Sequence, residues 1–429
     1  MRWNESLNRV LTIVSFGLGL CVMAHGAPKY QVLHPFGKGT DGAGLWSSVT
    51  FDKQGNLYGA TSGGGANGQG IVFMLMPQTN GTWRETILHS FPSFPTDGQG
   101  PNGRLIQDDS GDWYGTTGGG GADHVGTVFK LMHGPSGWKV SILYSFGEQG
   151  RDGYGPTAGL AMDKSGNLYG TAPRPWTTAF ELTPGSDGWH ETIMHHFGVK
   201  KGDGAGPFAG LLLDAAGNLY GTTEGGGAYR VGTVYELQPT SNGWEERILH
   251  SFDANGKDGV DPGWGALAMD GSGSVYGTTA GGGANTCFVG LDRAASGPQD
   301  AHPPGDDIGN CGTIFKLTKN ADGRWKEAIL YNFKGGSSGY GPGAGVVIDK
   351  AGNLYGTTVE GGSGCGCGVV YKLARRKQGK WTYTVLHTFE GSDGAQPDAN
   401  LILDGKGNLY GTTATGGAHG GGVVFEIIP

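Results

Sequence analysis

The chain has 429 residues, a formal net charge of −8 and an isoelectric point near 5.8, and its longest basic run is Arg375-Arg376-Lys377. That balance excludes an electrostatic footprint for nucleic acid. Gly and Pro supply 88 and 20 residues, about a quarter of the chain, which signals disorder when it has no period and turns when it does.

The first 26 residues read as a Sec-type signal peptide. Arg2 and Arg9 precede an apolar run from Val10 to Ala24, and Ala24-His25-Gly26 fits a small-x-small cleavage site. About 15 apolar residues are short for a membrane span, and no second apolar stretch follows. The expectation is a secreted or periplasmic protein starting near Ala27, with no membrane span after signal removal.

Next comes Tyr30-Gln31-Val32-Leu33-His34-Pro35-Phe36, which matches a later segment, Ile87-Leu88-His89-Ser90-Phe91. Between them lies Gly55-Asn56-Leu57-Tyr58-Gly59-Ala60-Thr61, the first of seven copies of one signature. Its tyrosines are Tyr58, Tyr114, Tyr169, Tyr220, Tyr276, Tyr355 and Tyr410, spaced 56, 55, 51, 56, 79 and 55 residues apart. A recurrence of this length marks a repeat architecture. The fourth copy shows the unit: strand a over Phe208 to Asp214, a tight turn, strand b over Leu219 to Thr223, a Gly-rich loop from Glu224 to Val231, strand c over Gly232 to Leu237, and strand d over Trp244 to Phe252. No amphipathic helix interrupts the series. Four short strands repeated seven times predict an all-β, seven-bladed β-propeller over residues 27–429. The chain ends after a strand c, Gly422 to Ile428, so the segment at Tyr30 is expected to complete the last blade and remove an exposed edge.

Counting back from the Asp that ends strand a, position −5 is small in every blade (Ser47, Gly103, Ala158, Ala209, Gly265, Ala344, Ala399) and position −3 is aliphatic (Val49, Leu105, Leu160, Leu211, Leu267, Val346, Leu401). Such layers suit seven strands crowded around an axis. The glycine inside strand b (Gly59 and its equivalents) marks a bulge or a close backbone approach.

Blade five has an insertion at about Asn285 to Asn310. Cys21 leaves with the signal peptide; Cys287, Cys311, Cys365 and Cys367 remain, an even number in an exported chain, so disulfides are expected. Four cysteines allow three pairings. A bond between Cys287 and Cys311 would close a loop of about 25 residues, while Cys365 and Cys367 either join each other or reach the neighbouring insertion. Cys365-Gly-Cys367 lacks the two-residue gap usual for zinc, so no metal site is assigned.

The signature Gly-Asn-Leu-Tyr-Gly-Thr-Thr, with Gly-Gly-Gly and Gly-Thr-Val-Phe after it, resembles that of the GloVer tandem-repeat proteins over about residues 30 to 429. The resemblance implies export and supplies no established reaction. Many members carry a C-terminal sorting anchor, which is not seen before Pro429.

The b–c and d–a loops are long and variable and share one end of the ring, so functional side chains are expected there. His34, His89, His195, His250 and His387 recur at one position of strand d and do not converge, which reads as structure. Asp41, Asp97, Asp152, Asp203, Asp258 and Asp393 each precede Gly, which is turn chemistry; calcium is the alternative, with Asp258-Gly-Val-Asp261 the best local case. Residues that break the repeat are stronger candidates. Position −6 reads Trp46, Asn102, Thr157, Phe208, Trp264, Gly343 and Asp398; position −4 carries Arg104 and Asn400; blade three replaces its Gly-rich loop with Arg174-Pro175-Trp176. Trp46, Arg104, Trp176, Trp264, Asp398 and Asn400 are therefore the candidate ligand contacts, suited to a polysaccharide, a small polar ligand or a protein partner. The same aromatics could instead plug the channel. No cofactor and no catalytic residue is assigned. The leading expectation is an exported, non-catalytic binding scaffold, and the alternative is a secreted hydrolase or lyase acting on polysaccharide or peptide-like substrates.

Overall fold

In the fourth repeat, Asp214 organises the a–b turn. Its Oδ1 accepts hydrogen bonds from the backbone N–H of Ala216 (2.8 Å) and Asn218 (2.9 Å), and its Oδ2 accepts from Asn218 Nδ2 (2.9 Å) and Tyr220 Oη (3.1 Å). Asp349 receives the same four bonds from Ala351, Asn353 and Tyr355. The Asn and Tyr of the signature are thus a side-chain staple on a tight turn. The second Thr is committed too: Thr223 Oγ1 donates to the Gly225 carbonyl and accepts from Thr233 N.

These units are seen in a computed structural model describing residues 27–93, 97–147, 150–287, 311–362 and 364–429. The signal peptide and most of the blade-five insertion lie outside the described residues. Seven sheets of mainly four antiparallel strands form a propeller ring. Among the described residues the helical segments are two single 3-10 turns, Gly336–Ser338 and Lys377–Gly379. In blade four, strand a is Leu212–Leu213, b is Leu219–Thr223, c is Thr233–Thr240 and d is Gly243–Ser251. Strand b is buried at every position, as a middle strand covered on both faces must be, whereas strand d alternates. The core is divided into seven wedges, each packed between neighbouring blades.

Strand a is shorter than the seven residues the pattern predicts. Only Leu212 and Leu213 pair with strand b. Upstream, the chain leaves its own ladder, and in four blades the carbonyl at position −5 is bonded by the preceding blade: Thr116, Thr171, Thr278 and Thr412 donate to the carbonyls of Ala158, Ala209, Ala344 and Ser47.

The strand-b glycine proves to be a close approach. A Cβ on Gly59 would lie 2.5 Å from Cζ of Phe73, its partner across the ladder, and Gly115, Gly170, Gly277 and Gly411 face Phe129, Phe180, Phe315 and Phe425 in the same way. The bulge falls in strand d instead. Val72 pairs with His89 and Phe73 with Ile87, leaving Leu88 as the extra residue. The same irregularity recurs in all seven blades.

Lys29–Pro35 pairs antiparallel with Val423–Ile428, so the N-terminal strand is the fourth strand of the last blade. Cys287 and Cys311 form a disulfide inside the core between blades five and six, and Cys365 and Cys367 form the second bond with each other.

Candidate functional site

Tryptophans separate by position. Trp83, Trp138, Trp189, Trp244, Trp325 and Trp381 open strand d in six blades and are partly buried. Trp138, Trp189, Trp244 and Trp325 meet the signature tyrosine of the preceding blade edge-on. Trp113, which takes the signature's Leu place, is 0% exposed. The remaining described tryptophans are Trp46, Trp176 and Trp264, exposed by 41, 49 and 39%. They all belong to the b–c/d–a end.

Trp264 stacks on Phe208 of the preceding blade, with ring centroids 4.8 Å apart and planes 10° from parallel. The Arg174 guanidinium lies 5.9 Å from the Phe208 ring centre, and Arg151 lies 5.8 Å from that of Trp176. Tyr229, in the blade-four b–c loop, is exposed. Blades three to five therefore present a strip of three exposed rings, Trp176, Tyr229 and Trp264, with the half-buried Phe208 under Trp264 and two arginines alongside. Trp46 stands in blade one, outside that strip. Asp398 packs against Gly343, where a Cβ would fall 1.6 Å from Asp398 Oδ1.

Arg104 and Asn400 do not join the strip. Asn400 accepts from Gly345 N through Oδ1 (2.8 Å) and from Ser48 Oγ through its carbonyl (2.7 Å), tying blades six, seven and one together. Arg104 leans toward the other mouth of the channel, where Nε donates to Thr50 Oγ1 (3.1 Å). Phe208, Arg174 and Arg151 complete the aromatic strip, and only Trp176 and Trp264 of the six candidates belong to it. The missed signal lay in the position −6 row itself, where Phe208 and Trp264 are the two large rings in successive blades.

The recurring histidines and loop aspartates, read separately in the sequence, meet at the junctions between blades. His195 Nε2 lies 3.1 Å from Asp203 Oδ1 and 3.5 Å from Glu246 Oε2 of the next blade. His34–Asp41–Glu85 and His250–Asp258–Glu327 repeat the arrangement. The strand-d bulge creates it, since skipping one residue turns the His toward the neighbouring blade. Burial, with the adjacent aspartates adding to it, pushes Glu85, Glu246 and Glu327 up to about 7. Burial lowers the basicity of His250, but Asp258 and Glu327 outweigh it, so His250 is raised.

Each of these three clusters has ligand atoms close enough to share a cation. The donor set argues otherwise. In the equivalent junction Tyr144 Oη lies within hydrogen-bond distance of both Asp152 Oδ2 (2.9 Å) and Glu191 Oε2 (3.0 Å), so a neutral hydroxyl occupies the place. In two others the partner is an aromatic ring: Tyr331 stacks on Tyr383, and His387 on Tyr30. What the seven share is a contact between strands d, not a ligand shell. Asp258, the best calcium case, is held by His250, Asp253 N and Gly259 N.

Three segments of the chain, residues 17–176, 173–291 and 305–429, match the Gloeobacter/Verrucomicrobia repeat. The chain belongs to that repeat family. No curated protein matches it in sequence. Among solved structures, this repeat protein is similar to the extracellular domain of a protein described as a one-component system from B. thetaiotaomicron (11% identity, TM-score 0.53). That alignment covers 92% of this chain and 40% of the other. It is also similar to a protein described as a 6-phosphogluconolactonase from Bacteroides uniformis (13% identity, TM-score 0.50), with 86% and 89% covered. The chain thus spans about two fifths of the length of that extracellular domain, and at these identities the likeness is one of fold.

Proposed function

We propose that the protein is an exported, non-catalytic binding scaffold whose ligand site is the aromatic strip of blades three to five on the b–c/d–a face. The observation behind this reading is the exposed Trp264 stacked on the half-buried Phe208, with Arg174 beside the pair. Exposed aromatics on a rigid ring offer flat faces for sugar rings at little entropic cost, and arginines add donors. Carbohydrate is the favoured ligand class, with a protein partner the other outcome. Export rests on the signal-like N-terminus and on the two disulfides. Among the described residues no helix is long and apolar enough to cross a membrane.

A hydrolase or lyase would need an acid and a base converging on the ligand. The raised glutamates are the nearest match, yet they recur around the ring in outer strands, away from the strip. A glycan array followed by calorimetry tests the proposal. A hit is expected, and Trp264→Ala should weaken it by about 1–3 kcal/mol, as for an interface anchor. Absence of any glycan or protein ligand for the wild type would sink the reading.

A further inference from the structure

Position −4 of strand a rings the channel and reads Ser48, Arg104, Gly159, Gly210, Ala266, Gly345 and Asn400. Six of the seven are uncharged, and Ser48 and Asn400 are engaged in holding blades together. Arg104 is the cation of the ring. Blade three leaves space for it: a Cβ on Gly159 would come within 3.1–3.2 Å of the Arg104 Cβ, N and O atoms.

The guanidinium is held from one side only. Nε donates to Thr50 Oγ1, and Thr50 Oγ1 donates to the Leu105 carbonyl (2.7 Å), which leaves the terminal nitrogens without a protein partner among the described residues. That is its hydrogen bond among the described residues; no carboxylate lies within ion-pair distance. The side chain is exposed to solvent, with protein atoms packed around it. Burial without a compensating charge lowers its basicity. Beside it is a shallow depression of about 410 Å³, open to solvent and lined by Thr50, Phe51, Asp52, Lys53, Arg104, Ile106 and Gln107. The acid in that lining is turned away: Asp52 accepts from Gln54 N, Asn56 N and Asn56 Nδ2 within its own turn. Lys53 stands at the lip and approaches only the exposed Asp109, at 3.9 Å.

We propose that this channel mouth, at the a–b turn end, binds an oxyanion: a carboxylate, phosphate or sulfate group on a ligand of monosaccharide size. The terminal nitrogens of the guanidinium present the fork that grips two oxygens, and the open depression beside it has room for a group of monosaccharide size. The depression is built by blades one and two at the a–b turn end, whereas the strip belongs to blades three to five, and the two share no residue. The site is therefore separate from the aromatic strip and does not depend on it.

Isothermal titration of the mature chain at low salt with inorganic phosphate, sulfate, glucuronate and neutral glucose tests the proposal. At least one anion should bind with a sub-millimolar Kd while glucose does not, and the preferred anion identifies the source. Arg104→Gln should weaken that binding at least tenfold at unchanged Tm, Arg104→Lys should retain part of it, and Lys53→Gln should change it by less than threefold. Glycan binding at the strip should be unaffected by Arg104→Gln. No binding of any anion to the wild type overturns the proposal. So does undiminished binding to Arg104→Gln or, if that variant does not fold, to Arg104→Lys.

Discussion

Trp264 and Trp113 place the same side chain in opposite circumstances, and their removal should be read out differently. Trp113 is fully buried and stacks on Tyr58 at 4.1 Å, so Trp113→Ala should cost about 3–5 kcal/mol through a cavity. Trp264 is 39% exposed and rests on one ring; Trp264→Ala should cost only about 1 kcal/mol of stability, the worth of an aromatic pair. Calorimetric melting of both variants checks the contrast, and a large loss for Trp264 would make it packing. The exposed tryptophans were legible because they depart from their repeat equivalents. Grouping Arg104 with them was not sound, because strand position fixes the row around the axis but not which way a long side chain leans. Thr50, two positions from the turn in the neighbouring blade, decides that.

At the level of elements, the blade junction makes stability depend on pH. The folded-state values of Glu85, Glu191, Glu246 and Glu327 sit near 7, above the unfolded value of 4.5. A raised folded pKa means that the native state binds the extra proton, so the contribution is complete below about pH 4.5 and is lost as pH rises through 7. His250, also raised, acts in the same direction; His89 and His387, lowered by burial, act against it. Facing Glu246 are His195, Asp203 and Lys200. Tm should therefore fall between pH 5 and pH 8, and Glu246→Gln, which cannot ionise, should flatten the slope. A Tm that climbs over this range would refute the assignment. The junction was not legible because its members come from two repeats: the aligned His column and the aligned Asp column were visible, but the Glu that completes each belongs to the next blade. Strands b and d, by contrast, followed from alternation and turn residues. Loop closure is a second element-scale case. The Cys287–Cys311 bond spans 24 positions, and the chain-entropy model gives such a bond about 3 kcal/mol. Peptide mapping without reduction should find it, and Cys287→Ala with Cys311→Ala should lower stability by that order.

For the whole molecule the decisive feature is how the ring closes. Six blades are built from consecutive chain, whereas the seventh joins Ile402–Leu403, Leu409–Thr413 and Val423–Ile428 to a strand from the opposite terminus. That strand contributes more than backbone pairing. Tyr30 stacks on His387 with centroids 3.7 Å apart and donates from Oη to the Asp393 carbonyl (2.6 Å). Phe36 is fully buried beside Phe73, and its backbone exchanges bonds with Gly421 and Gly422. The segment thus touches blades six, seven and one, which is why its match to a later strand d was readable from the sequence as closure. Deleting residues 27–36 should uncover the edge of Val423–Ile428 and remove Phe36 from the wedge between the last and first blades. The loss of a buried Phe alone is worth about 3–5 kcal/mol, and an unpaired apolar edge invites pairing between chains. The expected result is a markedly lower Tm with concentration-dependent aggregation, measured by calorimetry and light scattering. Adding the deleted segment back as a peptide should restore part of the Tm, since whatever binds only the folded state stabilises it by mass action. A deletion variant that melts like the full chain and stays monomeric would mean that the ring does not need this strand.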